Sequence, residues 1–379
     1  TMKAKKPSKR AFVQSIDEFA DEDALSVHKE NAPLARANRT LARELREAQE
    51  AKATLEKRLG LYERLESAKV APPEWLMPRT PGKGHRAIPS LAFGDVHRGE
   101  RVDPAQVDGV NCYNVAIADQ RIRRAFEGAV VICRDYLKGV AFDGIQVMLT
   151  GDEVSGDIQQ GRETNDETLA DSILGWVEPV EAGINLLARD FGRVHVLGVP
   201  GNHARNTLKP IAKNRAADNW DTFAYRVLAR DYRGSKTVTV EASAAADAQV
   251  TLYGTRYLLT HGDQFHGGSG ISGALAPLLL GAHRKTRRAS ASGHPYDVMV
   301  MGHFHQSIFY PSKGIIVSGC VVGYNEYAYV SNFEPEPPQC ALWLTSPERG
   351  ITVSAPVFVS DPVAEGWGTP AAAAVRLAA

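Results

Sequence analysis

Histidine, aspartate and asparagine recur in five short turns, each of which follows a run of apolar residues. The turns are Gly94-Asp95-Val96-His97, Gly151-Asp152-Glu153, Gly201-Asn202-His203, Thr260-His261-Gly262-Asp263 and Gly302-His303-Phe304-His305. Each contains glycine, which lets the backbone turn tightly and approach a ligand closely. Imidazole, carboxylate and amide groups together suit divalent Mn, Fe, Zn, Co or Ni. The turns therefore predict a metal site.

The elements that carry these turns follow from the apolar periodicity. The predicted strands are 90–94, 144–150, 194–199, 238–241, 249–253, 257–260, 298–301, 315–318, 340–345 and 351–359, and the predicted helices are 113–138, 168–191, 220–232 and 271–281. The first half alternates strand and helix and the second half is rich in strands, which predicts an α/β fold with two packed mixed β-sheets flanked by helices. Within Asp95-Val96-His97 and His303-Phe304-His305, we expect extended backbone that points both ligands of each pair the same way.

The order of the five turns, D-x-H, G-D, G-N-H, H-G and G-H-x-H, resembles the calcineurin-like metallophosphoesterase superfamily. The resemblance spans roughly residues 90–320. Any one turn is a weak signal, whereas all five in the same order are specific. The resemblance implies an enzyme that hydrolyses phosphate esters with two divalent metal ions.

It also implies a role for each residue. One ion would be held by Asp95, His97 and His305, the other by Asn202, His261 and His303, and Asp152 would bridge both. His203 would face the phosphate, either as general acid to the leaving oxygen or to stabilise charge there. Manganese is the expected metal, with Zn, Fe, Ni and Co as alternatives.

The chain departs from two branches of this superfamily. Protein phosphatases continue the second turn as G-D-x-x-D-R and place an acid after G-N-H, but here Ala204 follows His203. Glu153 or Asp157 could replace the missing carboxylate partner of His203. Purple acid phosphatases need a tyrosine near position 155, and Ser155 excludes their iron–tyrosinate site. Protein phosphatase activity is not expected.

The substrate is suggested by the basic run His283-Arg284-Lys285-Thr286-Arg287-Arg288, which follows the helix predicted at 271–281. A basic run beside a two-metal site suits a phosphate backbone. A solvated helix end explains it equally well, because the helix dipole favours cations there. The residues predicted to bind substrate are Arg205, Arg284, Lys285, Arg287 and Arg288, and residues 267–270 are a candidate mobile loop over the site.

In the overall pattern of its five turns, the chain is most similar to DNA-repair exonuclease-like phosphoesterases, including phage members. This similarity predicts a nuclease acting on DNA or RNA. A phosphomonoesterase or small cyclic-nucleotide phosphodiesterase is the first alternative. A non-catalytic scaffold of the same fold is the second, and loss of ligands would mark it. All seven ligand positions and His203 are present here.

Residues 1–68 are predicted to be a helical extension, with one long helix at 34–68. Leucine recurs there at seven-residue spacing, which is typical of a coiled coil and predicts a homodimer. The alternative is a solvated helix that lies on its own domain. The other predicted divisions are a Pro/Gly-rich linker at 69–89 that Trp75 could pin, a catalytic domain at 90–360 and a tail at 361–379.

The composition limits the classes of protein and the cellular locations that are expected for this chain. The formal net charge is zero, so nucleic-acid binding would need a local basic patch. No stretch approaches the ~20 apolar residues of a membrane helix, and the basic N-terminus lacks the apolar run of a signal peptide. The four cysteines are scattered without a CxxC pair, unlike a disulfide framework. We expect a cytoplasmic protein without a membrane partner.

Overall fold

The computed structural model describes residues 38–50, 52–53, 73–76, 85–158, 165–265 and 275–366. The chain divides into two compact units, Thr1–Lys69 and Val70–Ala379. In the first unit, residues 38–50 and 52–53 are helical, and Leu41 and Leu45 of the predicted seam are exposed. The rest of the helix predicted at 34–68 lies outside the described residues, and the coiled-coil dimer stays a prediction.

The second unit contains the strands and helices of an α/β fold. The strands are β1 (His85–Phe93), β2 (Val140–Phe142), β3 (Ile145–Leu149), β4 (Val194–Gly198), β5 (Val238–Ala242), β6 (Asp247–Leu252), β7 (Thr255–Thr260), β8 (Val298–Met301), β9 (Ser307–Tyr310), β10 (Ile315–Ser318), β11 (Gln339–Ser346) and β12 (Gly350–Phe358). The helices are α1 (Val115–Val131), α2 (Leu169–Phe191), α3 (Trp220–Asp231), α4 (Leu275–Ala291) and α5 (Glu326–Val330).

These strands form two mixed sheets flanked by helices, as predicted. The larger sheet has the order β12-β11-β1-β3-β4-β5, with β2 paired to β1, and its strands β1, β3, β4 and β5 are parallel. The smaller sheet has the order β6-β7-β8-β10-β9, with β7, β8 and β10 parallel. In each sheet the parallel strands therefore bring several carboxyl ends to one edge.

Three apolar cores hold these layers together. One lies between the larger sheet and helices α1, α2 and α3, around residues such as Phe126 and Trp176. A second lies between the two sheets and includes Leu197 and Trp343. The third packs α4 on the smaller sheet through Leu278. Among the described residues, none of the helices is long and apolar enough to cross a membrane.

Several element boundaries differ from the prediction. Strands β2 and β9 and helix α5 were not predicted, because each has at most five residues and too little periodicity. Strand β1 begins at His85, inside the predicted linker. Trp75, also in the predicted linker, is buried, and the guanidinium carbon of Arg193 lies 5.4 Å from its ring centroid. Glu365, in the predicted tail, is ion-paired with Arg121 on α1.

Helix α4 is the largest correction. The prediction ended this helix at Gly281 and placed the basic run after it, whereas the helix continues to Ala291. Gly281 lies inside the helix, where an added Cβ would lie 2.3 Å from the ring of Phe265. Glycine is needed at this position for packing. The basic run therefore occupies the body of α4.

Candidate metal centre

The five predicted turns meet at one edge of the two sheets. Three of them follow the parallel strands β1, β3 and β4 of the larger sheet, and two follow β7 and β8 of the smaller sheet. The turn after β1 is hydrogen-bonded to the turn after β3, because the backbone N–H of Asp95 donates to Gly151 at 2.9 Å. Likewise, the N–H of Gly302 donates to the carbonyl of His261 at 3.0 Å.

Glycines allow these turns to interlock. An added Cβ at Gly201 would lie 2.1 Å from the carboxylate of Asp152, and one at Gly302 would lie 2.2 Å from that of Asp95. No other residue type avoids these collisions. Each glycine thus leaves room for a carboxylate supplied by a different turn.

Five of the seven proposed ligand residues have left-handed backbone. The φ angles are 47° at Asp95, 48° at His97, 55° at Asp152, 68° at His303 and 54° at His305. The prediction of extended backbone in D-x-H and H-x-H is therefore wrong, since β1 and β8 end before these residues. Non-glycine residues seldom adopt this conformation, and it concentrates at functional sites.

The first proposed ligand set, Asp95, His97 and His305, is brought together in the structure. Suitable ligand atoms of these three residues all lie within 4.8 Å of one another. The Nε2 atoms of His97 and His305 are 3.2 Å apart. The Oδ1 atom of Asp95 lies 3.5 Å from His305 Nε2 and 3.9 Å from His97 Nε2.

The second ligand set, Asn202, His261 and His303, lies on the other side of Asp152. The Nε2 atom of His261 is 3.0 Å from Asp152 Oδ2 and 3.1 Å from Asn202 Oδ1. His303 shares a cluster of close ligand atoms with Asp152 and His261. Asp152 Oδ2 is also 4.0 Å from His97 Nε2, so one carboxylate oxygen faces both ligand sets.

The residues present fit a bound cation. Asp95 Oδ1 is buried and has no hydrogen-bond partner among the described residues, which is costly for a carboxylate unless a cation faces it. His261 Nδ1 donates to the carbonyl of Thr150 at 2.8 Å, so Nε2 is the free nitrogen and points at two acceptor oxygens. Only a proton or a metal ion satisfies that arrangement.

The pKa values of His97 and His303 are consistent with this fit. Burial lowers the pKa of His97, and burial together with the charge of His261 lowers the pKa of His303 to about 4. Both imidazoles are therefore neutral, as metal binding requires. Burial acts in the same direction on His261, but the carboxylate of Asp152 outweighs it and raises the pKa of His261 to about 10. The charge of Asp152 thus attracts a cation to the centre.

His203 lies beside both ligand sets. Its ring packs edge-on against that of His97, with 4.5 Å between centroids, and its backbone N–H donates to Asp152 Oδ1 at 2.7 Å. Its Nδ1 donates to the backbone carbonyl of Ser155 at 3.2 Å. A ring nitrogen of His203 also lies within 4.8 Å of ligand atoms of His97 and Asp152, so His203 belongs to the same centre.

The partner of His203 is thus a carbonyl oxygen. Of the two carboxylates considered from the sequence, Glu153 points into the core and accepts from Trp176 Nε1 at 2.9 Å and from the Tyr225 hydroxyl at 2.8 Å. Asp157 is exposed. An added Cβ at Gly156 would lie 2.2 Å from the carbonyl oxygen of His203, so glycine is required where these two turns meet.

Asp221, in the first turn of α3, was missed by the sequence reasoning. Its carboxylate accepts from the backbone N–H groups of Asp152 and Gly201 at 2.9 Å and of Glu153 at 3.1 Å. Burial and the charge of Asp152 raise its pKa to about 7, although the donating amides act the other way. Asp221 joins the second and third turns. An Asp after an N-cap asparagine gives no signal of this role.

Glu100 was also missed. The Nδ1 atom of His97 is buried without a hydrogen-bond partner among the described residues, and Glu100 Oε2 lies 3.6 Å from it. The side-chain amide of Asn325 donates to Glu100 Oε1 at 2.8 Å. Because His97 turns Nε2 towards the other ligands, its Nδ1 carries the hydrogen and faces this carboxylate. Carboxylates in this position orient metal-binding histidines.

Arg205 lies beside the third turn, where its guanidinium donates to backbone carbonyls. It contacts Asn202 at 2.6 Å, Thr207 at 2.9 Å and Leu208 at 3.1 Å. It also lines a small cavity of about 20 Å³ together with Asn202 and Asp263. In this structure Arg205 supports the loop that follows the Gly201-Asn202-His203 turn.

The four predicted substrate-binding residues of α4 fall into different environments. Lys285 is buried and paired with Asp247, and its Nζ also donates to Thr260 Oγ1 at 2.9 Å. Arg288 is exposed but also pairs with Asp247. Arg284 and Arg287 are exposed. Residues 267–270, the predicted mobile loop, lie outside the described residues.

Comparison with known proteins gives only distant likenesses. No family model and no curated protein matches the chain. Vps29 from Entamoeba histolytica, solved with Zn²⁺, is similar over 71% of this chain and 99% of its own, with 12% identity and a TM-score of 0.27. A dimetal phosphatase from Danio rerio is similar over 72% of this chain and 99% of its own, with 13% identity and a TM-score of 0.30.

A predicted phosphoesterase from Streptococcus pneumoniae is similar over 71% of this chain and 97% of its own, with 12% identity and a TM-score of 0.26. Likenesses this weak do not identify the function of this chain. Its chemistry has to be argued from the residues that meet at the metal centre.

Proposed function

We propose that this protein is a calcineurin-like metallophosphoesterase that uses two divalent metal ions to hydrolyse phosphodiester bonds, and that its substrate is DNA or RNA. The observation that carries the proposal is the pair of ligand sets that share Asp152, with His203 beside them. Two ions held in this way supply a clamp for the phosphate and a water of lowered pKa. Manganese is the proposed metal, with zinc, iron, nickel and cobalt as alternatives.

The side chains have separate tasks in this proposal. Asp152 holds the two ligand sets together through one oxygen, while its other oxygen is fixed by the N–H of His203. His203 keeps a hydrogen on Nδ1 against the Ser155 carbonyl. In its imidazolium form it also carries a hydrogen on Nε2, which it donates to the leaving oxygen. Asp221 fixes the backbone of the turns that carry Asp152 and Asn202.

Nucleic acid is favoured over a small ester by the charge of α4. Arg284 and Arg288 are exposed on this helix, and Lys285 ties the helix to Thr260, which immediately precedes His261. A basic surface so near the centre suits a substrate that carries further phosphates. A non-catalytic scaffold is disfavoured, because every ligand position is filled by a residue that can bind metal.

A substrate panel tests this proposal. Purified protein with Mn²⁺ is assayed on bis-p-nitrophenyl phosphate, p-nitrophenyl phosphate, single- and double-stranded DNA, and RNA. We expect turnover of the diester and of at least one nucleic acid, and loss of both in Asp152→Asn. Activity on the monoester alone would replace the proposal with a phosphomonoesterase. Metal-loaded wild type without activity on any ester would support the scaffold.

A further inference from the structure

A cleft on the smaller-sheet side has a composition unlike that of the metal centre. It has a volume of about 180 Å³. Its lining combines apolar and basic side chains: Gln264, Phe265, Pro277, Leu280, Gly281, Arg284, Lys285 and Arg288. The residues from α4 recur at intervals of three and four, so they form one stripe along the helix.

The cleft is connected to the metal centre through the turn that supplies His261. The N–H of Phe265 donates to the carbonyl of Gly262 at 2.9 Å, which fixes the cleft wall directly after that turn. Lys285 Nζ contacts Thr260 on the other side of His261. The cleft lining is therefore hydrogen-bonded to the segment that carries His261, one of the proposed metal ligands.

The charges of the cleft favour an anion. Arg284, Lys285 and Arg288 contribute three positive charges, and Asp247, which pairs with two of them, contributes one negative charge. These residues leave a net charge of +2. Of the three positive side chains, Arg284 and Arg288 are exposed. Lys285 is buried, so the two arginines are the groups able to meet a phosphate, for which their planar donors are suited.

Apolar surface lies on the same stripe of the helix. Leu280 is 58% exposed although its neighbours on α4 are packed, and Phe265 fills the space that Gly281 leaves. An exposed leucine one turn from an arginine that can bind phosphate offers apolar surface to a ring beside an anion. A nucleotide has this pairing of base and phosphate.

We propose that this cleft binds one nucleotide of a single-stranded nucleic acid, with its phosphate at Arg284 and Arg288 and its base against Leu280. A strand is required because a base inside a duplex is stacked and paired and cannot enter a cleft. The assignment rests on the proposed nuclease function and adds the part of the substrate that is recognised. It also divides the basic run of α4: Arg284 and Arg288 bind, Lys285 supports the cleft, and Arg287 is not involved.

Binding of a short fluorescein-labelled strand with a nuclease-resistant phosphorothioate backbone tests the cleft, with anisotropy as the readout in the presence of Mn²⁺. We expect Arg284→Gln to weaken binding about tenfold, the size of one charge-assisted hydrogen bond. It should also reduce the slope of log K against log salt concentration by about 0.7, which is the value expected for the loss of one phosphate contact on a single strand. Arg287→Gln is the matched control, since it removes the same charge from the same helix outside the cleft lining. Equal weakening by Arg284→Gln and Arg287→Gln, or none by either, would overturn the proposal.

A second pair of measurements tests the base. Leu280→Asn should weaken binding of the normal strand about fivefold through lost apolar contact and leave an abasic strand unaffected. The same loss on both strands would contradict the placement of the base. If deoxyadenosine monophosphate binds as tightly as the strand and depends equally on Arg284, the cleft holds free nucleotides and the strand assignment is wrong.

These outcomes are separate from those of the proposed function. Wild type that hydrolyses bis-p-nitrophenyl phosphate but cuts no nucleic acid refutes the nuclease. In that case Arg284-dependent strand binding would still establish the cleft, and wild type that binds no strand would refute the cleft as well.

Discussion

Replacing Glu100 by glutamine tests how the first ligand set is organised. The change keeps the size of the side chain and its contact with Asn325, but removes the charge 3.6 Å from His97 Nδ1. Glu100 is a carboxylate facing a nitrogen that has no hydrogen-bond partner among the described residues. Losing such a partner typically weakens metal binding 10- to 100-fold, or about 1.4–2.7 kcal/mol.

The assay is titration of metal-free protein with Mn²⁺ or Zn²⁺ by calorimetry or indicator competition, which resolves two binding steps. Glu100→Gln should weaken one step and leave the other unchanged, because the second ligand set does not include His97. Glu326→Gln is the control: its carboxylate accepts from the N–H of Asp103 in the same loop, 3.0 Å away, and lies outside both ligand sets. Unchanged affinity at both steps, or an equal loss in Glu326→Gln, would refute the role of Glu100.

Three further predictions concern the acid, the extension and helix α4. His203→Asn should keep metal content near wild type and lower turnover of unactivated esters about 10²–10⁴-fold; a smaller loss on p-nitrophenyl esters supports proton donation, and an equal loss would indicate charge stabilisation instead. Removal of residues 1–68 should leave a folded, active catalytic unit, and light scattering of both forms tests the dimer, since two monomers would exclude the coiled coil. Lys285→Met should lower the free energy of unfolding by about 3 kcal/mol. This is the low end of the range for breaking a buried ion pair, because Arg288 still contacts Asp247 in the variant. Arg287→Met should change it by less than about 0.5 kcal/mol in the same denaturant titration, and equal effects would contradict the burial of Lys285.

The clustering of the candidate ligand turns could be predicted from the sequence because the signal of each turn is local. Each ligand follows a recognisable buried strand, and parallel strands bring their carboxyl ends together whatever the intervening helices contain. The grouping of Asp95 with His305 depended on the resemblance to a known family, since these residues are 210 positions apart. Their close approach in the structure agrees with that grouping.

The supporting contacts could not be predicted, because they are made between distant segments or by the backbone. Nothing local in the sequence places Asp221 under the turn of Asp152, or Asn325 beside Glu100. The Ser155 partner of His203 is a carbonyl oxygen, which every residue possesses, so its identity carries no signal. Lys285 was predicted at the surface because a basic run in isolation looks solvated, whereas Asp247 on β6 pairs with it in the fold.

Both ligand sets draw on both sheets. The first takes Asp95 and His97 from turns of the larger sheet and His305 from the smaller, and the second takes Asn202 from the larger and His261 and His303 from the smaller. Bound ions would therefore act as cross-links between two layers that, in the described part of the chain, also meet through apolar packing and polar contacts. A ligand that binds only the folded state stabilises it by an amount that grows with concentration, about 4 kcal/mol at a thousand times Kd. The bound ions would then contribute both to the reaction and to the stability of the fold. In cells poor in metal the protein would be less stable as well as less active.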